Sequence, residues 1–239
     1  MKDLFGKAIL DYQTGNDPED LITETSISDP DEMAVAYLFR SYKDMPKIEQ
    51  RALQLARGKV LDVGCGAGSH ALYLQQNGLD VTAIDISPNA VEACKLRGLQ
   101  NASVTDVLQM NGTFDTILLL MNGTGIFGTL KNCSVYLQQL RQLLAPGGQI
   151  LMDSSDLIYM FDQDEDGGRW IDTQRDYYGE LTFSLTYKGE RETPFNWLYL
   201  DFNTLQNAAN ANQLDCELLL EGDHYDYLAR LTAMVNTSE

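Results

Sequence analysis

The sequence predicts the α/β class: a doubly wound, mostly parallel sheet of seven strands with helices on both faces. Three observations predict it. A short apolar strand runs into a turn of three alternate glycines and straight into a helix between residues 59 and 70. Strand-like and helix-like segments then alternate regularly as far as Asp153, an order that implies parallel strands joined by right-handed crossovers. Beyond Asp153 the register changes to a polar stretch followed by short alternating runs, which suggests an inserted antiparallel β pair and a closing hairpin. The chain therefore divides into an N-terminal helical cap or lid (1–56), a core (57–153), an inserted loop and β pair (154–200), and a closing helix and hairpin (201–239). A chain of 239 residues can bury a full core for such a fold.

Each element has its own signal. Leu4, Phe5, Ala8, Ile9 and Tyr12, then Met33, Tyr37 and Tyr42, follow apolar helical spacing, with an acidic, turn-rich stretch at 15–20 between them. A helix from about Lys47 stops at Gly58, a good residue to follow a helix end. Residues 60–63 read as a strand, 69–77 as a helix stopped by Gly78, and 81–85 as a second strand. Ser87 caps a helix with Pro88 in its first position and Gly98 past its end. A third strand covers 102–105. The fourth, 114–121, carries an unbroken Ile-Leu-Leu-Leu run suited to burial on both faces. Asn132 or Ser134 opens a helix that closes before Ala145-Pro146-Gly147-Gly148, and 149–153 is the fifth strand. Residues 180–187 and 195–200 form the inserted pair around the turn Lys188-Gly189-Glu190. Residues 205–212 are a helix, and 216–220 and 225–231 close as strands.

Composition excludes several functions. The four cysteines (Cys65, Cys94, Cys133, Cys216) form no C-x-x-C pair and read as reduced thiols of a cytoplasmic protein. No apolar run approaches the roughly 20 residues of a membrane span, and the start Met1-Lys2-Asp3-Leu4 has no signal-peptide pattern. Seventeen basic residues stand against 35 acidic ones, for a formal charge of −18. Phosphate backbones demand clustered Lys and Arg, so nucleic acid is not expected as a partner.

The glycine turn carries the chemistry. Gly64, Gly66 and Gly68 lie between strand and helix, where the backbone turns sharply or approaches a ligand that a Cβ would exclude. Asp85 ends the next strand, twenty-one positions beyond Gly64, placed to accept hydrogen bonds from the ribose hydroxyls of an adenosyl cofactor. The spacing is G-x-G-x-G, whereas dinucleotide turns are usually G-x-G-x-x-G with a pyrophosphate on the helix N-terminus. Asp62, two residues before the first glycine, would repel a pyrophosphate and suits the ammonium group of a methionine moiety.

This pattern, with Asp85-Ile86-Ser87-Pro88-Asn89-Ala90-Val91-Glu92 behind it, resembles motif I of the class I S-adenosylmethionine-dependent methyltransferases. The resemblance is firm over about residues 57–153 and looser over the closing helix and strands. Leu4-Phe5-Gly6-Lys7 to Asp11-Tyr12 and Phe195-Asn196-Trp197-Leu198-Tyr199 are also similar to a bacterial group of that class without an assigned substrate. The resemblance implies a Rossmann-like fold, S-adenosyl-L-methionine as cofactor and S-adenosyl-L-homocysteine as product. It places Asp62, Gly64, Cys65, Gly66, Gly68 and His70 along the methionine end. Asp85 and Ile86 fall at the ribose, and Asp106 and Val107, after the third strand, at the adenine. Met121 and Asn122 line the cofactor at the end of the fourth strand. The Asp/Asn-Pro-Pro-aromatic motif of base-amino methyltransferases is missing there, which further disfavours nucleic-acid methylation.

Methyl transfer needs little covalent help, so no catalytic residue is assigned. The work is holding a nucleophile in line at about 3–3.5 Å and excluding water. The acceptor is expected to be a small molecule held between 1–56 and 154–200, with Tyr12, Tyr42, Asp153 and Trp197 as pocket candidates and Tyr177 and Tyr178 as further aromatics. His224, in the closing turn, reads as a surface residue. Residues 161–167 imitate half a calcium loop, but the twelfth position is Thr173 instead of a bidentate Glu, so no metal is expected. The competing readings are an NAD(P)-dependent oxidoreductase and a non-catalytic S-adenosylmethionine-binding regulator.

Overall fold

The computed structural model describes residues 2–164, 166, 168–170 and 176–234. In chain order the elements are α1 (Leu4–Thr14), β1 (Leu21–Thr25), β2 (Ser28–Met33), α2 (Lys47–Leu55), β3 (Lys59–Val63), α3 (Ser69–Gln76), β4 (Asp80–Asp85), α4 (Pro88–Leu96) and β5 (Ala102–Val104). They continue as β6 (Phe114–Leu119), α5 (Cys133–Gln142), β7 (Leu144–Ser155), β8 (Glu180–Tyr187), β9 (Glu190–Arg191), β10 (Phe195–Leu198), α6 (Phe202–Ala211), β11 (Leu214–Glu221) and β12 (Asp226–Ala233). The main sheet has seven strands in the order β11-β12-β7-β6-β3-β4-β5. β3 through β7 pair in parallel, and β11 and β12 close the sheet antiparallel. The expected architecture is present.

Strand periodicity sorts the core into two layers. Leu61, Ile117, Leu119 and Met152 point into the layer that holds Leu137 and Leu140 of α5 and Leu205 of α6. Val60, Leu118 and Leu151 point into the other, against Ile48, Ala52 and Leu53 of α2 and Ala71 and Leu74 of α3. Strand order reverses between β3 and β6, so their carboxyl ends open a crevice at the switch point, where ligands of such sheets gather.

The N-terminal segment differs from the all-helical reading. α1 is helical, but residues 21–33 form a hairpin, and β1 pairs with β8 to build a second sheet in the order β10-β8-β1-β2, with β9 on β8. In the run Leu21-Ile22-Thr23 the last two residues are β-branched, and Leu21 is buried against Leu185 and Tyr187. Those partners lie more than 150 residues away, so local spacing could not reveal the strand. Tyr37 and Tyr42 fall in single 3-10 turns at Val35–Phe39 and Tyr42–Asp44. The inserted β pair is thus one half of a sheet, with β10 at its edge, to which the N-terminal segment contributes the other two strands.

Candidate functional site

The glycine turn follows β3 as the sequence predicts, held by main-chain bonds from Gly64 and Cys65 to the Ile84 carbonyl at 2.9 and 3.0 Å. Gly66 and Gly68 serve different ends. Gly66 has φ +51°, and a Cβ there would meet nothing within 4 Å: its open side is free for a ligand. At Gly68 a Cβ would lie 2.8 Å from the Cys94 Sγ, so that glycine serves the packing of α3 on α4. Cys65 turns its own thiol inward, 3.8 Å from Cys94, leaving only its main chain to the site.

Two carboxylates frame the turn. Asp85 accepts from Gly66 N–H through Oδ2 and from Ser87 N–H through Oδ1, both at 2.9 Å. Burial raises its carboxyl above the usual range. Asp62 is 2% exposed, and its Oδ2 has no hydrogen-bond partner among the described residues. Burial pushes it up to about 6; His70 pulls against this and the Asp85 charge reinforces it. A buried, unpartnered carboxylate oxygen is costly unless something completes it. The orphaned Asp62 Oδ2 and the open face of Gly66 together fit an organic cation laid over the turn.

After β5, Asp106 spends Oδ1 on the Leu108 N–H at 2.9 Å in an Asx turn. Val107 is buried in the core and offers only its main chain, while Ile86 is 62% exposed beside Asp85, an apolar surface ready for a ring. At the end of β6, Met121 and Asn122 both have positive φ, 66° and 59°. Asn122 turns inward: its Nδ2 donates to Leu198 O at 3.3 Å, and its Oδ1 accepts from Ser154 Oγ at 2.9 Å.

The acceptor-side candidates are not gathered around one point. Asp153 is buried with both oxygens taken by main-chain donors of residues 121–123, and burial pushes it up to about 6 against those bonds. Trp197 stands on Gly125, where no Cβ fits, beside the stacked pair Phe183 and Phe195. Tyr12 tilts against Phe39 at 4.6 Å. Tyr42 stacks on Tyr73 at 4.2 Å and its hydroxyl accepts from Gln54, so it is engaged in packing. Tyr177 and Tyr178 donate to Asp201 and Asp156. His224 is exposed in the closing turn. Of the calcium-like run, Glu165, Gly167 and Thr173 lie outside the described residues. Asp164 accepts from Asp166 N–H and Gly168 N–H within its own loop, and no metal-binding cluster occurs among the described residues.

Sequence reasoning missed Arg40 and Glu49. Glu49 is 4% exposed, paired with the Arg40 guanidinium, and 2.7 Å from His70 Nε2. Burial opposes its ionisation, but the His70 hydrogen bond and the charges of His70 and Arg40 outweigh that and hold it below the usual glutamate range. The available signal was an acid on the apolar face of α2, beside Ile48, Ala52 and Leu53. The segment bearing Arg40 is fastened to α3 by Ser69 Oγ, which donates to Leu38 O at 2.7 Å, and to the end of α4 by Arg97 lying over the Phe39 ring at 4.7 Å.

Comparison with known proteins agrees with this geometry. The profile of a methyltransferase-domain family matches residues 36–203. The crystal structure of an S-adenosylmethionine-dependent methyltransferase from Bacteroides fragilis, in complex with S-adenosyl-L-homocysteine, is 48% identical. It superposes with a TM-score of 0.91 over 98% of this chain and 96% of its own. A sugar N-methyltransferase from Streptoalloteichus is 13% identical with a TM-score of 0.62, over 87% of this chain and 96% of its own, a likeness of fold alone. A ubiquinone biosynthesis O-methyltransferase from Xanthomonas oryzae is 30% identical over 111 residues, 43% of this chain and 45% of its own. An uncharacterized protein from Synechococcus is 38% identical over 41% of this chain and 25% of its own. The chain thus spans less than half the length of these two curated relatives.

Proposed function

The chain belongs to the S-adenosylmethionine-dependent methyltransferases of class I, and from that premise we propose that it methylates a small-molecule acceptor. The cofactor supplies an electrophilic methyl group on a sulfonium. This chain's residues bind and orient: Asp85 toward the ribose hydroxyls, Ile86 and the main chain at Val107 toward the adenine, and Asp62 toward the methionine ammonium. The observation that carries the reading is the unpartnered, buried Asp62 Oδ2 near the end of β3, just before the glycine turn, because a pyrophosphate would be repelled where an ammonium is welcomed.

The acceptor enters between the N-terminal segment and residues 154–200. The two-fold excess of acids supports a neutral or cationic acceptor over a nucleic acid. No helix among the described residues is long and apolar enough to cross a membrane, and the four thiols are free; a cytoplasmic setting is part of the same reading. Calorimetry with S-adenosyl-L-homocysteine against NAD tests it: binding of NAD alone overturns it in favour of an oxidoreductase. Methyl transfer from labelled cofactor to a panel of amines, thiols, hydroxyls and carboxylates completes the test. Cofactor binding without turnover on any metabolite extract would instead mark a regulator.

A further inference from the structure

Resting on that cofactor reading, we infer that Asp3 is a positioning residue for the ribose acid Asp85: it fixes the start of α4, whose Ser87 N–H aims the carboxylate. Asp3 Oδ2 accepts from both nitrogens of Asn89, the side-chain Nδ2 at 2.8 Å and the main-chain N–H at 3.3 Å. Asn89 is the second residue of α4. Two residues earlier, Ser87 caps the helix by accepting from Ala90 N–H at 2.9 Å, and its own N–H donates to Asp85 Oδ1 at 2.9 Å. Gly6 lets α1 come down on this cap, since a Cβ there would run into Ser87 Oγ and the Asp3 carboxylate. Burial raises the Asp85 carboxyl, the N–H groups of Ser87 and Gly66 pull it down, and the Asp3 charge raises it again. The two acids therefore lie within electrostatic reach of each other.

Asp3 is itself held. It precedes α1 with φ +61°, a left-handed backbone that is costly for a residue with a Cβ and persists where the surroundings impose it. Glu192 imposes it. That buried carboxylate accepts from the N–H groups on either side of Asp3: Lys2 through Oε1 at 2.8 Å and Leu4 through Oε2 at 3.2 Å. Glu192 follows β9, and its own N–H donates to Leu185 O of β8 at 2.8 Å. The second sheet thus grips residues 2–4, these grip the start of α4, and α4 orients the acid at the end of β4. Asp3 touches no ligand in this arrangement and acts through Asn89 and Ser87. Anchoring of the N-terminal helix alone would cost stability and leave affinity for the cofactor untouched, which separates the two roles.

The test is a double-mutant cycle on the full chain, read as the Kd for S-adenosyl-L-homocysteine by calorimetry. Asp3→Ala should raise Kd about fivefold in the wild-type background. It should change Kd little once Asp85→Ala has removed the carboxylate that Asp3 orients. Asp3→Asn, whose amide oxygen still accepts from Asn89, should recover most of the affinity. Asn89→Ala removes the 2.8 Å bond from the other side and should reproduce part of the loss; it carries the cycle if Asp3→Ala does not fold. No loss with either alanine variant overturns the inference. So does an equal loss with and without the Asp85 carboxylate, which would place the effect elsewhere, or an Asp3→Asn protein as weak as Asp3→Ala. Failure of the cofactor reading looks different: wild-type protein would bind no S-adenosyl-L-homocysteine, or Asp85→Ala would leave its Kd unchanged, and in either case the inference falls with it.

Discussion

Asp153 Oδ1 accepts a 2.9 Å hydrogen bond from the main-chain N–H of Gly123, and its Oδ2 accepts from Met121 N–H at 3.1 Å. Between them Met121 and Asn122 hold left-handed backbone, which costs non-glycine residues about 1–2 kcal/mol each. One carboxylate at the end of β7 therefore clamps the strained turn that leaves β6, at the switch point of the sheet. Asp153→Ala should leave two main-chain donors unsatisfied and lower stability by about 2 kcal/mol or more, read from urea denaturation. An unchanged midpoint and slope would show that the turn holds itself.

The glycines separate into two phenotypes. Gly66→Val should abolish binding of S-adenosyl-L-homocysteine while the fold survives, because the added side chain occupies ligand space and its Cβ meets nothing within 4 Å. Its left-handed φ adds a strain of about 1–2 kcal/mol, a shift of several degrees in Tm for a chain of this size. Gly68→Ala should do the opposite, pressing on the Cys94 Sγ at 2.8 Å and destabilising α3 against α4. Normal binding by a folded Gly66→Val protein would place the cofactor elsewhere.

Asp85→Ala should weaken cofactor binding by more than the tenfold or so expected from losing a charged acceptor for the ribose alone. The same carboxylate holds the N–H groups of Gly66 and Ser87, so its removal also loosens the glycine turn. Calorimetry on folded mutant protein checks this, and an unaltered Kd would remove Asp85 from the site.

How much of this was legible follows from where each partner lies in the chain. The glycine turn, Asp62, Asp85 and the Ser87–Pro88 helix start sit within thirty residues, and their spacing alone implied strand, turn, helix and strand. Ser87 does cap α4 through Ala90 N–H at 2.9 Å. The hairpin of residues 21–33 was illegible because its buried face exists only once β8 pairs with β1. Asn122 was visible as a polar residue at a strand end, but its inward turn depends on Ser154 and Leu198. Glu49 was hidden for a similar reason: an acid on an apolar helix face looks like an error until Arg40 and His70 arrive beside it. Local chemistry was readable, and contacts made by remote pairing were not.

The last prediction concerns protons. Asp62 is pushed up to about 6 in the ligand-free protein, chiefly by burial, against an ordinary value of 3.8. The folded carboxyl thus keeps a proton that the unfolded chain has already lost. Its contribution to stability is fully present below pH of about 4 and disappears as pH rises through about 6, a change on the order of 3 kcal/mol at most. An ammonium placed against the same oxygen favours the ionised form and lowers the carboxyl again. Binding of S-adenosyl-L-homocysteine near pH 6 should therefore expel part of a proton, and binding near pH 8, where Asp62 is already ionised, should expel none from it. Calorimetry in buffers of different ionisation enthalpy measures the release directly. Asp153 titrates in the same range, so the decisive quantity is the part that vanishes in Asp62→Asn. If that variant releases as many protons as the wild type, Asp62 does not meet the ammonium, and its unpartnered oxygen needs another explanation.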